Sequence, residues 1–410
     1  MESYSYLHLG EPEDPDRNVV CRYRVTTDLS MEKAAEAIAA EQSTGTWTGI
    51  STLDRSIFDG LGARITSIDG DVITCEFPAE DFSIETGAVP QILSVIAGNL
   101  FGLGALKAVR LEDVTFPKSI LEQFKGPKFG AEGIRKALKR PEEPLVGTIV
   151  KPKIGLSPEK TAEHVYEAGS GGLTNSKDDE TLVDQSFCPI EDRTIRVAEA
   201  LDRLEEEGRM MMHAVNVSTR SDKIVELAEK VQGWGAREIM IDVITCGYGC
   251  LQALAEDPSI KVPIHVHRTM HGAFTKDPRH GINMLVLSKL VRMVGGDALH
   301  IGTLGVGKMA AGAHDDSNLK ACLGDDVPYK TVMPVCSGGV HPSLVADIIA
   351  RSGMDVQIQA GGGVAGHPGG VRAGAMAMSQ AVHAAYEGIP AAEYAESHPE
   401  LRVALERWPR

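Results

Sequence analysis

The rhythm of apolar and polar positions divides the chain near residue 125. Before that point, "NVVCRYRVTT" (18–27) reads as a strand, and residues 31–42 read as a helix with Ser30 as N-cap and Glu32 in the first turn. "ARITSIDGDVITCEFP" (63–78) has the form of a hairpin turning at Asp69-Gly70. "PQILSVIAGNLFGL" (90–103) is predicted helical, with Pro90 in its first turn, and "LKAVRLEDV" (106–114) returns as a strand. That βαββαβ order predicts a ferredoxin-like α+β sandwich over residues 1–125.

Beyond it the pattern changes to short apolar runs separated by amphipathic stretches. The runs fall at 145–150, 171–177, 211–217, 238–244, 263–267, 298–303, 332–336 and 356–360. "PEKTAEHVYEAG" and "RTIRVAEALDRLEEEG" are typical of the segments between them. Eight strand–helix units over this length predict a (β/α)8 TIM barrel across 126–410, closed by a C-terminal helical tail; an open doubly wound sheet is the alternative.

In such a barrel the chemistry lies at the C-terminal ends of the strands. The reactive residues of this sequence fall there. Lys151 and Lys153 follow the first run, and "KDDE" (177–180) ends the second. "HVHR" supplies His265, His267 and Arg268, with His271 just beyond. His300 precedes the glycine-rich loop that carries Lys308; Ser337-Gly338-Gly339 and Gly361-Gly362-Gly363 end the last two strands. Glycine-rich turns after the seventh and eighth strands let backbone N–H groups cradle phosphate, and Arg268 and Lys308 add cations, so a phosphorylated ligand is expected. Asp179 and Glu180 suit Mg²⁺, a hard cation that takes few protein carboxylates. Lys177 is the anomaly, because an ammonium repels a metal. It serves either as a counter-ion for the acids or, once CO₂ has converted its amine to an anionic carbamate, as a ligand. Lys151 and Lys153 are close enough in sequence that mutual repulsion is expected to lower a lysine pKa, which suits acid–base work.

Composition narrows the partners. The 410 residues carry a net charge of −16, which argues against nucleic acid or an anionic membrane surface. No apolar stretch approaches the length of a membrane span, and the polar, acidic start "MESYSYLHLGEPEDPDRN" does not have the form of a signal peptide. The seven cysteines are scattered, so reduced thiols in a cytoplasmic protein are expected.

Taken together, these motifs resemble the large subunit of ribulose-1,5-bisphosphate carboxylase/oxygenase (RuBisCO) and its wider superfamily, over almost the whole chain. "AEQSTGTWTGIST" (40–52) carries Glu41, Thr46 and Trp47 of the N-terminal active-site segment, and "AGNLFG" carries Asn99. "GTIVKPKIGLSP", "GGLTNSKDDE", "HVHRTMHGAF", "GGDALHIGTLGVGKM", "PVCSGGVHP" and "QAGGGVAGHPGG" carry the barrel residues. "FPKSILEQFKGPKFG" and the ending "PELRVALERW" are most similar to form III-like members and form IV RuBisCO-like proteins.

The resemblance implies a Mg²⁺-dependent carboxylase, with an oxygenase side activity, that enolises ribulose 1,5-bisphosphate, adds CO₂ and cleaves to two 3-phosphoglycerate. It implies a carbamate on Lys177, formed by activating CO₂, that binds the metal with Asp179 and Glu180 and serves as base. Lys151 would protonate the late carbanion, and Lys153 would orient it together with Glu41. His267 and Arg268 would serve hydration and phosphate binding, and His300 would sit near a phosphate or the new carboxylate. Lys308 would ride a closing loop. Thr46, Trp47, Asn99, Ser337, Gly338, Gly339, Gly361 and Gly362 would bind substrate. Glu41, Thr46, Trp47 and Asn99 would complete a neighbouring subunit's site, so a homodimer or a multiple of dimers without a small subunit is expected. By the same resemblance, the segment from Lys308 to Ser337 is shorter than in true carboxylases. A RuBisCO-like enolase, isomerase or decarboxylase acting on a related sugar phosphate without fixing CO₂ therefore stays open.

Overall fold

The structure is a computed structural model that describes residues 4–46, 48–307 and 315–409. The chain forms two compact units. In the first, β1 (Asn18–Thr26), β2 (Arg64–Asp69), β3 (Val72–Pro78) and β4 (Ala108–Thr115) pair antiparallel, with β1 central between β3 and β4. From Cys21 onward β1 alternates: Cys21, Tyr23 and Val25 are buried while Arg22 and Arg24 reach outward, the two-residue period of a sheet with one face on a core. Helices Met31–Gln42 and Ile84–Ala97 supply the α layer, and the Tyr23 hydroxyl donates to Ile96 O at 2.7 Å. Ser30 caps the first helix as expected, its side chain accepting from Lys33 N. The second helix differs from its expected 90–103 span. It starts at Ile84, breaks at Ala88 (φ 42°), resumes with Pro90 in the new first turn, and gives way after Gly98 to a short 3-10 turn, Asn99–Gly102. Proline tolerates only the start of a helix, which is why the break precedes it.

Two features of this unit were not legible in advance. Helix Arg55–Leu61 starts on an Asp54 cap. Residues Met270–Met293 also group here, although the sequence places them beyond the expected boundary at 125. A two-residue strand, β10 (Gly281–Ile282), pairs parallel with β4, and Arg110 Nη1 donates to the carbonyls of Thr275 (3.2 Å) and Asp277 (2.5 Å). A strand of two residues leaves no periodicity to read.

The second unit, Gly126–Thr269 with Val294–Arg410, is the barrel. Its strands are β5 (Leu145–Ile149), β6 (Asn175–Lys177), β7 (Met212–Asn216), β8 (Glu238–Asp242), β9 (Ile264–His267), β11 (Ala298–Gly302), β12 (Met333–Ser337) and β13 (Gln357–Gln359). All pair parallel, and β13 closes on β5. Seven lie within an expected apolar run and β12 extends one residue past its run, to Ser337; closure excludes the open-sheet alternative. Helices Gly370–Tyr386 and Pro399–Arg407 end the chain. Among the described residues no helix is long and apolar enough to cross a membrane.

Helix Gly130–Leu138 plugs one end of the barrel. Ala131, Ile134 and Leu138 cluster with Leu145, Met212, Ala298 and Met333, the first residues of β5, β7, β11 and β12. Asp297 fastens the plug: Oδ1 accepts from Phe129 N and Gly130 N, and Oδ2 from Ile264 N. With the N-terminal mouth sealed by apolar packing, ligand access is left to the opposite rim.

That rim is braced from below by an ion pair. Asp178 and Arg193, from helix Ile190–Glu206, are both fully buried and 3.1 Å apart. His213 Nε2 (3.1 Å) and Asn216 N (3.0 Å) complete the carboxylate's shell. Burial alone would raise the Asp178 carboxyl, but Arg193 and His213 outweigh it and hold it well below the usual carboxylate range. Arg193→Met is expected to cost about 3–5 kcal/mol near neutral pH, because it strands a buried charge. The deficit should narrow as pH falls, first because the variant's stranded acid is neutralised, and then, below the unfolded value of roughly 4 and on toward the lowered folded value, because the wild type loses the stability of its depressed carboxyl. Urea unfolding at several pH values measures both.

Candidate active site

The four residues KDDE straddle the end of β6, and each faces a different way. Lys177 is the last residue of the strand and is only 1% exposed. Its Nζ donates to the Asp178 carbonyl at 2.7 Å and lies 3.9 Å from Glu180 Oε2. Burial lowers its pKa against the pull of Glu180 and Asp179, so its amine is biased toward the neutral, nucleophilic form. Asp178 turns inward to Arg193, as described above. Asp179 and Glu180 turn to the rim.

Both rim acids are held by lysines from the end of β5. Lys151 Nζ meets Asp179 Oδ2 at 2.8 Å, and Thr181 donates to Asp179 Oδ1 at 3.0 Å through its hydroxyl. Lys153 Nζ meets Glu180 Oε1 at 3.1 Å and lies 3.8 Å from Asp179 Oδ1. Burial works to raise the Glu180 carboxyl, but His267 and Lys177 carry it down to about 2. Asn216 Nδ2 reaches the carbonyls of Asp179 and Glu180 at 3.4 and 3.3 Å, which ties the loop backbone to the end of β7. The expectation that mutual repulsion lowers a lysine pKa is corrected for Lys153. Each is drawn to its own carboxylate, and Lys153 is raised by its bond to Glu180.

The histidines line the next strands. His267, at the end of β9, lies 3.2 Å from Asp242 Oδ1 through Nδ1 and 3.9 Å from Glu180 through Nε2. Burial and Lys177 lower its pKa, with Asp242 opposing. His300 on β11 is buried; its Nδ1 is 2.7 Å from Ser337 Oγ and its Nε2 is 2.8 Å from His265 Nε2. Burial and the neighbouring His267, His265, Lys177 and Arg268 push it well below the ordinary histidine value. Arg268 follows at the same strand end, partly exposed. His271 instead turns to Thr275 Oγ1 at 2.9 Å.

The glycine turns have specific steric reasons. Gly338 (φ 112°) and Gly339 (φ 74°) hold a backbone that side chains rarely adopt. A Cβ on Gly361 would lie 2.9 Å from Lys151 Cε, whereas one on Gly362 would meet nothing within 4 Å. Open space beside Gly362 is room at the rim for a ligand.

The structure therefore brings Lys151, Lys153, Lys177, Asp179, Glu180, His267, Arg268, His300, Ser337, Gly338, Gly339, Gly361 and Gly362 to the C-terminal ends of the barrel strands. Within the first unit Asn99 Nδ2 donates to Glu41 Oε1 at 3.3 Å. Thr46 lines a cleft of about 580 Å³ with Tyr4, Tyr6 and Arg55. Trp47 and Lys308 lie outside the described residues. Sequence reasoning missed Asp242, Asn216 and the buried Glu238. The first two are the last residues of β8 and β7, so the strand-end rule that found the others would have found them.

No three His, Cys, Asp or Glu side chains converge in metal-binding geometry among the described residues. Asp179 and Glu180 nevertheless fit a hard divalent cation, because the Lys151 and Lys153 ammoniums already stand where positive charge is required.

A parallel eight-stranded barrel with this rim, preceded by a mixed-sheet domain, is the architecture of the large chains of RuBisCO. The family model described as "Ribulose bisphosphate carboxylase large chain, N-terminal domain" matches residues 9–120, and that of the catalytic domain matches 130–408. The chain belongs to this family. Archaeal enzymes are among its relatives. The ribulose bisphosphate carboxylase of Methanocaldococcus jannaschii is 41% identical over 92% of this chain and 94% of its own. The octameric enzyme of Pyrococcus horikoshii, solved with sulfate, superposes with a TM-score of 0.92 at 38% identity, over 98% of this chain and 96% of its own. The dimeric archaeal enzyme of Hyperthermus butylicus gives 0.88 at 37% identity, with 98% of each chain covered.

Because Lys177 has a lowered folded pKa, burying its ammonium costs stability at every pH below that value, and the cost fades as pH rises through the unfolded value. Lys177→Met is thus expected to melt higher than wild type in metal-free, CO₂-free buffer. The gain should be largest under acidic conditions and shrink toward alkaline pH. Calorimetry across pH reads it.

Proposed function

We propose that this protein is a Mg²⁺-dependent ribulose-1,5-bisphosphate carboxylase whose Lys177 carries an activating carbamate. The observation that carries the reading is a buried lysine amine, disfavoured as ammonium, beside two rim carboxylates. CO₂ adds to the neutral amine with loss of one proton, and the resulting anion, Asp179 and Glu180 would hold Mg²⁺. When bound, the ion supplies Lewis-acid polarisation of the substrate carbonyl.

The chain's own groups do the rest. The proton beside the carbonyl leaves toward position 177. Lys151, held near Asp179, is placed to return a proton to the late carbanion, and Lys153 to orient the neighbouring oxygens. His267, backed by Asp242, assists addition of water to the carboxylated product. Arg268, His300, Ser337 and the amides of Gly338, Gly339, Gly361 and Gly362 bind the phosphates. Lys308 closes over the site and meets the new carboxylate. Glu41, Thr46, Trp47 and Asn99 serve the partner subunit's site in a dimer or a multiple of dimers without a small subunit. The dimeric and octameric relatives support that assembly. We place the enzyme in the cytoplasm, where its seven cysteines would stay reduced.

Purified protein given ribulose bisphosphate, Mg²⁺ and labelled CO₂ is expected to form acid-stable label in 3-phosphoglycerate. Lys177→Ala should lose that activity by at least about 10³-fold, the scale of removing transition-state charge stabilisation. Exchange of the substrate C3 proton without acid-stable label would instead establish a RuBisCO-like enolase, the reading that the short Lys308–Ser337 segment favours. Light scattering during turnover is expected to find only dimers or larger; an active monomer would overturn the shared-site assignment.

A further inference from the structure

A chain of buried polar side chains runs from the barrel interior to the rim, and its inner end is unexplained by the chemistry above. Glu238 on β8 is fully buried. Its Oε2 accepts from Asn175 Nδ2 at 2.6 Å, and Asn175 Oδ1 accepts from Gln359 Nε2 at 2.6 Å. These bonds join strands that are not neighbours in the barrel, so they cross its interior. Glu238 Oε1 has no hydrogen-bond partner among the described residues, and neither has His265 Nδ1. The two orphaned atoms lie 3.4 Å apart. From His265 the chain continues through Nε2 to His300 Nε2, and through His300 Nδ1 to Ser337 Oγ.

Hydrogen-bond chemistry allows this chain only certain arrangements. The contact between the two Nε2 atoms holds one proton when both rings are neutral. With Glu238 ionised, His265 must present Nδ1–H to it, because a ring lone pair against a carboxylate repels. His265 Nε2 is then an acceptor, His300 Nε2–H donates to it, and His300 Nδ1 is a lone pair. That lone pair takes the Ser337 hydroxyl proton, so Ser337 shows only lone pairs to the rim. An incoming phosphate oxygen needs a donor there. One solvent proton added at His300 Nδ1 resolves the conflict; the charge of the bound anion has to offset the burial and neighbouring cations that disfavour the imidazolium in its absence. Nδ1–H then donates to Ser337 Oγ, the hydroxyl turns outward to the anion, and the new imidazolium charge is balanced through His265 by Glu238.

We propose that Glu238 and His265 are positioning residues that set the tautomer of His300 and make oxyanion binding at Ser337 draw a proton into the barrel. This rests on the reading of the Ser337 rim as a phosphate site. The other charges facing the chain are His267, Lys177 and Arg268 around His300, and Asp297 beside Glu238. All are unchanged by the substitution that tests the idea. In Glu238→Gln the amide keeps an oxygen for Asn175 and turns its NH₂ to His265 Nδ1. That fixes His265 as Nε2–H and His300 as Nδ1–H, and leaves the Ser337 hydroxyl free to donate without any added proton.

The probe is sulfate, a dianion with no proton of its own near neutrality. Titration calorimetry of the intact enzyme in buffers of different ionisation enthalpy, at roughly pH 6 to 8, is expected to show net proton uptake on sulfate binding in wild type. That uptake should be lost or cut at least in half in Glu238→Gln, with sulfate affinity retained. Equal uptake by the two proteins overturns the proposal. Spectra of ¹⁵N-histidine-labelled wild type test it even if the variant does not fold: His265 is expected as the Nδ1–H tautomer, and Nε2–H would overturn it. Neither measurement uses turnover. A protein that fails to fix CO₂ but shows both signals loses the carboxylase reading and keeps this one.

Discussion

The barrel rim depends on keeping one lysine amine dry beside two acids. Lys177 cannot be there as an unopposed ammonium without a large desolvation cost, and Asp179 and Glu180 cannot sit beside it uncompensated. The structure divides the charge among separate partners: Lys151 on Asp179, Lys153 on Glu180, Arg193 on Asp178. Each carboxylate thus has a cation from another segment, and Lys177 keeps only a 3.9 Å contact with Glu180. Its Nζ donates instead to a backbone carbonyl. A desolvated amine with a lowered pKa at the mouth of a barrel is a nucleophile for a small electrophile, and the surrounding oxygens then suit a hard cation.

The rigidity of this arrangement comes from the layer beneath. Asp178, His213 and Asn216 lock the turn after β6 to β7, and helix Ile190–Glu206 delivers Arg193 into the same dry space. Inside the barrel, Gln359, Asn175 and Glu238 form a polar crosspiece where aliphatic packing is the rule for such barrels. A fully satisfied apolar core would hold the strands equally well, so the crosspiece points to chemistry carried from the interior to the rim through the paired histidines. The opposite mouth follows the ordinary rule, sealed by Ile134, Leu138 and the first residues of four strands.

Membership of the RuBisCO large-chain family, at near-complete coverage of archaeal relatives, means that both units of this chain have counterparts in one chain of those relatives. Within the first unit the Glu41–Asn99 contact joins the end of one helix to the turn that follows another. Two residues that look unrelated in sequence are thus held as a preformed pair. The late segment 270–293 completes that unit's sheet through Gly281–Ile282, so the two units are not consecutive stretches of chain.

The eight barrel strands, the βαββαβ order and the strand-end placement of Lys151, Lys177, His267, His300 and Ser337 were legible from the sequence alone. Local periodicity and turn residues record which segments are strands, and a barrel puts every strand end on one rim whatever the details of packing. Lys153 illustrates the limit: adjacency to Lys151 suggested repulsion, yet the carboxylate that governs it, Glu180, lies 27 residues further along the chain. Asp242 and Asn216 end their strands and were within reach of the same rule, but Arg193 and the contacts of the Glu238–His265–His300 chain were invisible, because their meaning is a distance across strands and not a spacing along them. Which side chains are charged, and which are left facing an unpaired partner, is settled by burial and by neighbours from other elements. Those quantities exist only once the chain has closed on itself.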